Sequence, residues 1–223
     1  MSDDKQAVID YLKEFVSENR YARIREVVQK RTRHITLVIE NLFQSHNVSA
    51  ILRTAECSGI QDVHIIENES DYEINNQIAI GAQKWLSVYH YSKHKQNTEY
   101  CLKTLKKKGY KIVATLPHEN ESLLRDVSIE SKIAFLFGSE HGGLSQTAID
   151  MADEFVKIPM YGFTESYNVS VAVALTLMDV NERLRRSSVD WQLSDDEIQN
   201  LTLDYLQKSI KESDFVLKQF QSN

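Results

Sequence analysis

The feature that most constrains this chain is a set of short, unbroken apolar runs separated by helical stretches. "ITLVIE" (35–40), "VHIIE" (63–67), "LSVYHY" (86–91), "YKIVATL" (110–116), "IAFLF" (133–137) and "FVKIPM" (155–160) read as strands. Several are continuous Val/Ile/Leu/Phe rather than alternating with polar residues, which marks strands covered on both faces and therefore a parallel sheet. Helical periodicity falls between them, near 47–58, 94–108, 143–152 and 167–186. Strand and helix in turn imply an α/β fold. Two further helical stretches flank this alternation. Ala7, Val8, Tyr11, Leu12, Phe15 and Val16 recur at helical spacing near the start, and "SDDE" (194–197) predicts a capping box ahead of Ile198, Leu201, Tyr205, Leu206 and Ile210.

At 223 residues, 42% hydrophobic and 26% charged, the chain has the composition of an ordinary globular protein with a sizeable core. No apolar run approaches the roughly 20 residues that a membrane span requires. The acidic, amphipathic start "MSDDKQAVIDYLKEF" differs from a signal peptide, and Cys57 and Cys101 form no CxxC pair. A cytoplasmic protein with free thiols, no membrane partner and no bound metal is expected, the histidines showing no ligand spacing. The net charge of −6 hides a basic run at "RYARIREVVQKRTRH", in which Arg20, Arg23, Arg25, Lys30, Arg31 and Arg33 face a single acid, Glu26. A second cluster holds Arg183, Arg185 and Arg186. Either could be a solvated helix face; together they are the footprint of a bound polyanion.

Two strand ends lead into glycine-bearing loops: "GSEHGGLS" (138–145) and "PMYGFTES" (159–166). Ligands of open α/β sheets bind outside the carboxyl ends of strands, and glycine lets a loop turn tightly against them. The loops match neither the GxGxxG dinucleotide fingerprint nor a P-loop, and no Gly-x-Ser-x-Gly elbow is present. Two Asn-Val-Ser triplets, Asn47-Val48-Ser49 and Asn168-Val169-Ser170, each head a helical stretch. With Asn47 as N-cap and Gly59 as C′, the first helix turns an apolar stripe inward and Arg53 away from it. The second, apolar almost all round from Val169 to Met178, is expected to be buried, with Ser166 and Asn168 at its start in need of polar partners.

Taken together, "NVSAILRTAECSG", "LFGSEHGGLS" and "IPMYGFTESYNVSVAVAL" resemble in order and spacing the three motifs of the SPOUT superfamily of RNA methyltransferases, and within it the TrmH group of tRNA ribose 2′-O-methyltransferases. The resemblance covers about residues 20–186, including "RYARI" and "GAQKW". It implies a parallel-sheet fold with a C-terminal trefoil knot around 138–170 that binds S-adenosylmethionine, and a homodimer whose active site draws on both subunits. It implies the organisation as well: a basic, RNA-contacting helical extension at 1–33, the methyltransferase domain at 34–186 and a C-terminal helical extension at 187–223. By motif position, Asn47, Arg53, Glu140, Ser166 and Asn168 are the expected catalytic group. Thr115, Leu116, Gly138, Ile158, Met160 and Tyr167 are the expected cofactor contacts, and the basic run 20–33 is the expected tRNA contact. The implied reaction is methylation of a tRNA ribose 2′-OH, with a D-loop guanosine as the expected target. Ribosomal RNA, another tRNA position and a non-catalytic, RNA-binding knotted dimer are the alternatives. The chain departs from the family's frequent His-x-Pro-His-Asn at Phe43-Gln44-Ser45-His46-Asn47, and from Gln-Ser-Leu-Asn at Glu165-Ser166-Tyr167-Asn168.

Overall fold

The computed structural model describes residues 2–68, 81–116, 122–139 and 142–221. They fall into two compact units, one spanning 33–191 and the other assembled from both ends of the chain, 1–32 and 192–223.

The larger unit is built on a seven-stranded sheet. In chain order the strands are β1 (Ile35–Glu40), β2 (Asp62–Ile66), β3 (Ser87–Tyr91), β4 (Lys111–Thr115), β5 (Ser122–Leu123), β6 (Ile133–Phe137) and β7 (Glu154–Lys157). Their spatial order is β3-β2-β1-β6-β4-β7-β5, and every described pairing is parallel. The continuous apolar runs have the predicted cause: all residues of β1, β2 and β6 are buried, because helices cover both faces. On one face Ile35, Leu37 and Ile39 pack with α3 (Ser45–Cys57) and α6 (Val169–Arg186). On the other, Val38, Ile66 and Leu136 pack with α4 (Asn97–Lys107) and α5 (Gln146–Met151).

Three boundaries differ from the sequence reading. The sixth predicted strand stops at Lys157, and the predicted helix at 143–152 shrinks to α5, because Gly142 and Gly143 belong to the preceding loop. The two-residue β5 was too short to leave a periodic signal. The third difference concerns Asn47. Helix α3 begins at Ser45 with Gln44 as its cap residue, so Asn47 lies inside the first turn and does not cap. Gly59 does occupy C′, with φ of 77° in the left-handed region that ends helices at least cost in glycine.

The smaller unit comprises α1 (Ser2–Leu12) and α2 (Glu18–Gln29) from the start of the chain, and α7 (Asp195–Ser209) and α8 (Ser213–Gln221) from its end. Ser194 and Glu197 form the predicted capping box, each side chain accepting from the other's backbone N–H. Ile9, Leu12, Ile24, Val28, Leu201, Tyr205 and Leu206 make the buried interior. An isolated antiparallel bridge between Thr32 and Gln192 ties the two ends of the chain together. Both cysteines are free thiols, and no helix among the described residues is long and apolar enough to cross a membrane.

Candidate active site

The central strands β6, β4 and β7 end side by side, and their carboxyl ends open on a cavity of about 670 Å³. That volume is in the range of small-molecule sites. All six expected cofactor residues, Thr115, Leu116, Gly138, Ile158, Met160 and Tyr167, line it, together with Ser166 and Asn168. Apolar side chains such as Leu116 and Ile158 supply walls, while the two glycine loops supply backbone polar groups.

The loop that follows β6 closes on itself. Ser139 and Gly143 exchange two backbone hydrogen bonds, each 3.0 Å, and the Ser139 hydroxyl accepts from the Gly142 N–H at 3.0 Å. Gly138 is required by this closure: a Cβ there would sit 2.2 Å from the carbonyl carbon of Gly143, inside the backbone. The cradle therefore exists only because position 138 has no side chain.

Just past this loop, Ser145 caps α5, its hydroxyl accepting from the Ala148 N–H at 3.2 Å. Ser145 is itself held by Glu40, the last residue of β1. The Glu40 carboxylate accepts from the Ser145 N–H and from its hydroxyl, both at 2.8 Å, and from the Thr98 hydroxyl. Glu40 is 1% exposed, so a buried carboxylate with three donors fixes the far end of the cradle. In the sequence Glu40 is read only as the end of the run "ITLVIE", with no role assigned to it.

The two Asn-Val-Ser triplets meet directly. Asn168 Nδ2 donates to Asn47 Oδ1 at 3.1 Å, across 121 residues of chain. Asn168 Oδ1 meanwhile accepts from the Ser170 N–H at 2.9 Å, making Asn168 the N-cap of α6. Asn47, buried at 2% exposure, donates through Nδ2 to Gln44 Oε1 at 3.1 Å. Gln44 borders the cavity as well, a contact that sequence reasoning missed.

Other expected residues stand apart. Arg53 is exposed on α3 and is not among the described residues that line the cavity. Glu140 lies outside the described residues. Ser166 and Asn168 are exposed rather than buried, and α6 is not enclosed all round: Val171, Leu175 and Met178 are solvent-facing, Met178 at 78%.

The basic run does not form one uniform face. Arg25 is exposed, while Arg23 and Lys30 both pair with Glu26 at 2.8 and 2.6 Å, and Arg20 donates to the Ser209 hydroxyl at 3.3 Å. Arg31 corrects the expectation of a solvated contact. It is 1% exposed, with its guanidinium 6.0 Å from the Tyr205 ring centroid, a packing role for a long amphipathic side chain. Arg33 likewise spends its charge internally, on Asp62 at 3.1 Å. The second basic cluster is also partly structural: Arg183 donates to the carbonyls of Val127 and Leu124, and Arg185 lies 4.7 Å over the Trp191 ring.

Among the described residues no three His, Cys, Asp or Glu side chains gather into a metal-binding set. Two buried groups of the sheet unit, His64 and Cys101, are held in their neutral forms. His64 in β2 is driven down to about 3 by burial, with Lys108 adding to the shift, and burial pushes the Cys101 thiol up to about 12.

Comparison with known proteins agrees with this geometry. A family model described as the SpoU rRNA Methylase family matches residues 34–178. A tRNA (guanosine(18)-2′-O)-methyltransferase of Borreliella burgdorferi is 40% identical over 216 residues, which are 97% of this chain and 97% of that one. The crystal structure of the A. aeolicus TrmH/SpoU tRNA modifying enzyme superposes with a TM-score of 0.77 at 29% identity, covering 87% of this chain and 98% of that one. The fold is also that of the SpoU methyltransferase AviRb of Streptomyces viridochromogenes, solved with AdoMet, at 19% identity and a TM-score of 0.62 over 70% of this chain and 63% of that one.

Proposed function

The chain belongs to the SpoU rRNA Methylase family, and from that premise we propose that it methylates the ribose 2′-OH of a D-loop guanosine in tRNA, using S-adenosylmethionine. The Borreliella protein, which matches this chain nearly end to end, is named for 2′-O-methylation at guanosine 18 of tRNA. The observation that carries the reading is the hydrogen bond from Asn168, which lines the cavity, to Asn47, since it joins two of the motif positions across the fold.

The cavity fits the cofactor. Its volume suits a nucleoside-sized group, and the cradle formed over Gly138 leaves backbone polar atoms rather than side chains against it. Thr115, Leu116, Gly138, Ile158, Met160 and Tyr167 would hold it. When bound, it supplies an electrophilic methyl group on a sulfonium. The chain's part is to bring the ribose oxygen into line and to stabilise the charge that develops there. Asn47 and Asn168 orient the ribose, and Ser166 contributes a hydroxyl at the cavity wall. Glu140 is assigned to the same group by motif position alone.

Arg53 grips an RNA phosphate and stabilises electrostatically the negative charge that develops on the ribose oxygen as its proton passes to water. It does not act as a base, because a guanidinium keeps its proton in proteins. A homodimer in which Arg53 serves the partner's site belongs to the same reading, Arg53 being exposed on α3 and not among the described residues that line the cavity of its own chain. The exposed apolar residues Val171, Leu175 and Met178 on α6, beside Tyr167, supply a surface suited to such a contact. The trefoil knot belongs to the same proposal, since the loops after β6 and β7 line one cavity on either side of the end of β4. We place tRNA phosphates on the basic residues Arg25, Arg23 and Arg20 of α2 and on Lys30 at its end, with the domain organisation at 1–33, 34–186 and 187–223 as its frame.

The test is incubation of the protein with S-adenosylmethionine and unmodified tRNA, followed by nucleoside mass spectrometry and mapping of the site. The expected product is a 2′-O-methylguanosine in the D-loop. Methylation of ribosomal RNA alone, or at another nucleotide, would replace the proposed substrate.

A further inference from the structure

The hydrogen bonds at the cavity mouth run in one direction only, and that direction is fixed by a backbone group. The Ser170 N–H can only donate, so the Asn168 atom it meets at 2.9 Å must be oxygen. The Ser170 hydroxyl, 2.6 Å from the same oxygen, is satisfied as a donor too. Asn168 therefore turns its NH₂ towards Asn47, which must answer with Oδ1 at 3.1 Å. Asn47 in turn directs its own NH₂ to Gln44, which must answer with Oε1, again at 3.1 Å. Each amide settles the orientation of the next. Gln44 ends the chain with its Oε1 turned to Asn47, which leaves the Nε2 pair of N–H donors as the part of its side chain turned away from that bond.

Gln44 borders the cavity, and none of the described lining residues carries a charge. Among the described lining residues, an anionic oxygen entering there is met by neutral donors. We propose that Gln44 is a ligand-binding residue of this site, presenting its Nε2 amide to an oxyanion of the bound reactants. Two reactants of the proposed reaction carry such a group, the amino-acid carboxylate of S-adenosylmethionine and an RNA phosphodiester. The inference rests on the methyltransferase reading for the identity of those reactants, while the donor polarity follows from the amide chain alone.

Two substitutions separate ligand contact from mere support of Asn47. Gln44→Glu keeps an oxygen for the Asn47 N–H but replaces the donor with a second carboxylate oxygen. Gln44→Met loses the bond to Asn47 but adds no negative charge. If Gln44 contacts an oxyanion, Gln44→Glu is the more damaging of the two. If Gln44 only props Asn47, Gln44→Met is. Calorimetry with S-adenosylmethionine and filter binding with unmodified tRNA give the readouts, with thermal unfolding as the control for folding.

The expected result is a loss of about tenfold or more in one of the two affinities for Gln44→Glu, larger than for Gln44→Met, with melting temperatures unchanged. A loss confined to S-adenosylmethionine assigns the carboxylate, and a loss confined to tRNA assigns the phosphate. Affinities within twofold of wild type for Gln44→Glu, or Gln44→Met as the weaker binder, overturn the proposal. Wild-type protein that binds neither reactant overturns the methyltransferase reading as well, an outcome visible before any variant is made.

Discussion

Glu40→Ala measures how much the cradle depends on the buried carboxylate behind it. Wild-type Glu40 receives three hydrogen bonds, from the Ser145 N–H, the Ser145 hydroxyl and the Thr98 hydroxyl. Hydrogen bonds to a charged group contribute about 1.5–3 kcal/mol each, so the gross loss is roughly 5–9 kcal/mol. Returning the carboxylate to water recovers several kcal/mol of its desolvation cost. The two hydroxyls can turn to other acceptors, whereas the Ser145 N–H cannot. A net loss of about 3 kcal/mol is expected, which for a chain of this size lowers the melting temperature by roughly 6–12 °C. Glu40→Gln should cost about 1 kcal/mol, because the amide can place its oxygen on the Ser145 N–H and let both hydroxyls accept from its NH₂. Thermal unfolding of the two variants, with calorimetric titration of S-adenosylmethionine, checks both parts. Glu40→Ala melting within about 2 °C of wild type, or Glu40→Gln costing as much as Glu40→Ala, refutes the argument.

Gly138→Ala forces a Cβ to within 2.2 Å of the Gly143 backbone, so the loop must open. S-adenosylmethionine affinity should fall about ten- to a hundredfold, and calorimetry within twofold of wild type would contradict this. His64, buried and neutral with its pKa near 3, stays unprotonated in the fold while the unfolded chain takes up a proton below about pH 6.5. Its contribution is thus fully present above about pH 6.5 and lost as pH falls towards 3, by about 2 kcal/mol at pH 5. Urea unfolding of His64→Gln at both pH values should show that dependence reduced, and an unchanged slope would assign it elsewhere. Arg53→Ala and Asn168→Ala subunits, each inactive alone, should recover methylation when refolded together if Arg53 serves the partner's cavity. No recovery would place Arg53 in its own.

The sheet was legible because burial on both faces writes itself as unbroken Ile/Val/Leu/Phe, as in "ITLVIE" and "IAFLF". Helix ends were harder. Gln44 is no preferred cap and the Ser45-His46 pair carries no apolar signal, so the start of α3 was read at the more cap-like Asn47. Nor does an apolar helix announce what covers it: Val171, Leu175 and Met178 read as core but lie at the surface of this chain. Among the arginines, a run of like charges cannot reveal that Arg31 packs inward while Arg25 does not. The cavity residues were found by motif resemblance. Glu40 and Gln44 were missed because their roles depend on partners brought together by the fold, Ser145 from 105 residues away and Asn168 through Asn47.

The unit made of 1–32 and 192–223 has a consequence for how the protein is born. Its first two helices leave the ribosome long before α7 and α8 exist, and α1 packs chiefly on α7. Throughout synthesis of the intervening sheet unit, Ile9, Leu12, Ile24 and Val28 lack the late helices that complete their interior. The helical unit is therefore the last to close, once α7 and α8 have emerged. A nascent chain stalled near residue 191 should protect the sheet from protease while leaving α1 and α2 open to cleavage, and those two helices are where a chaperone would find its handle.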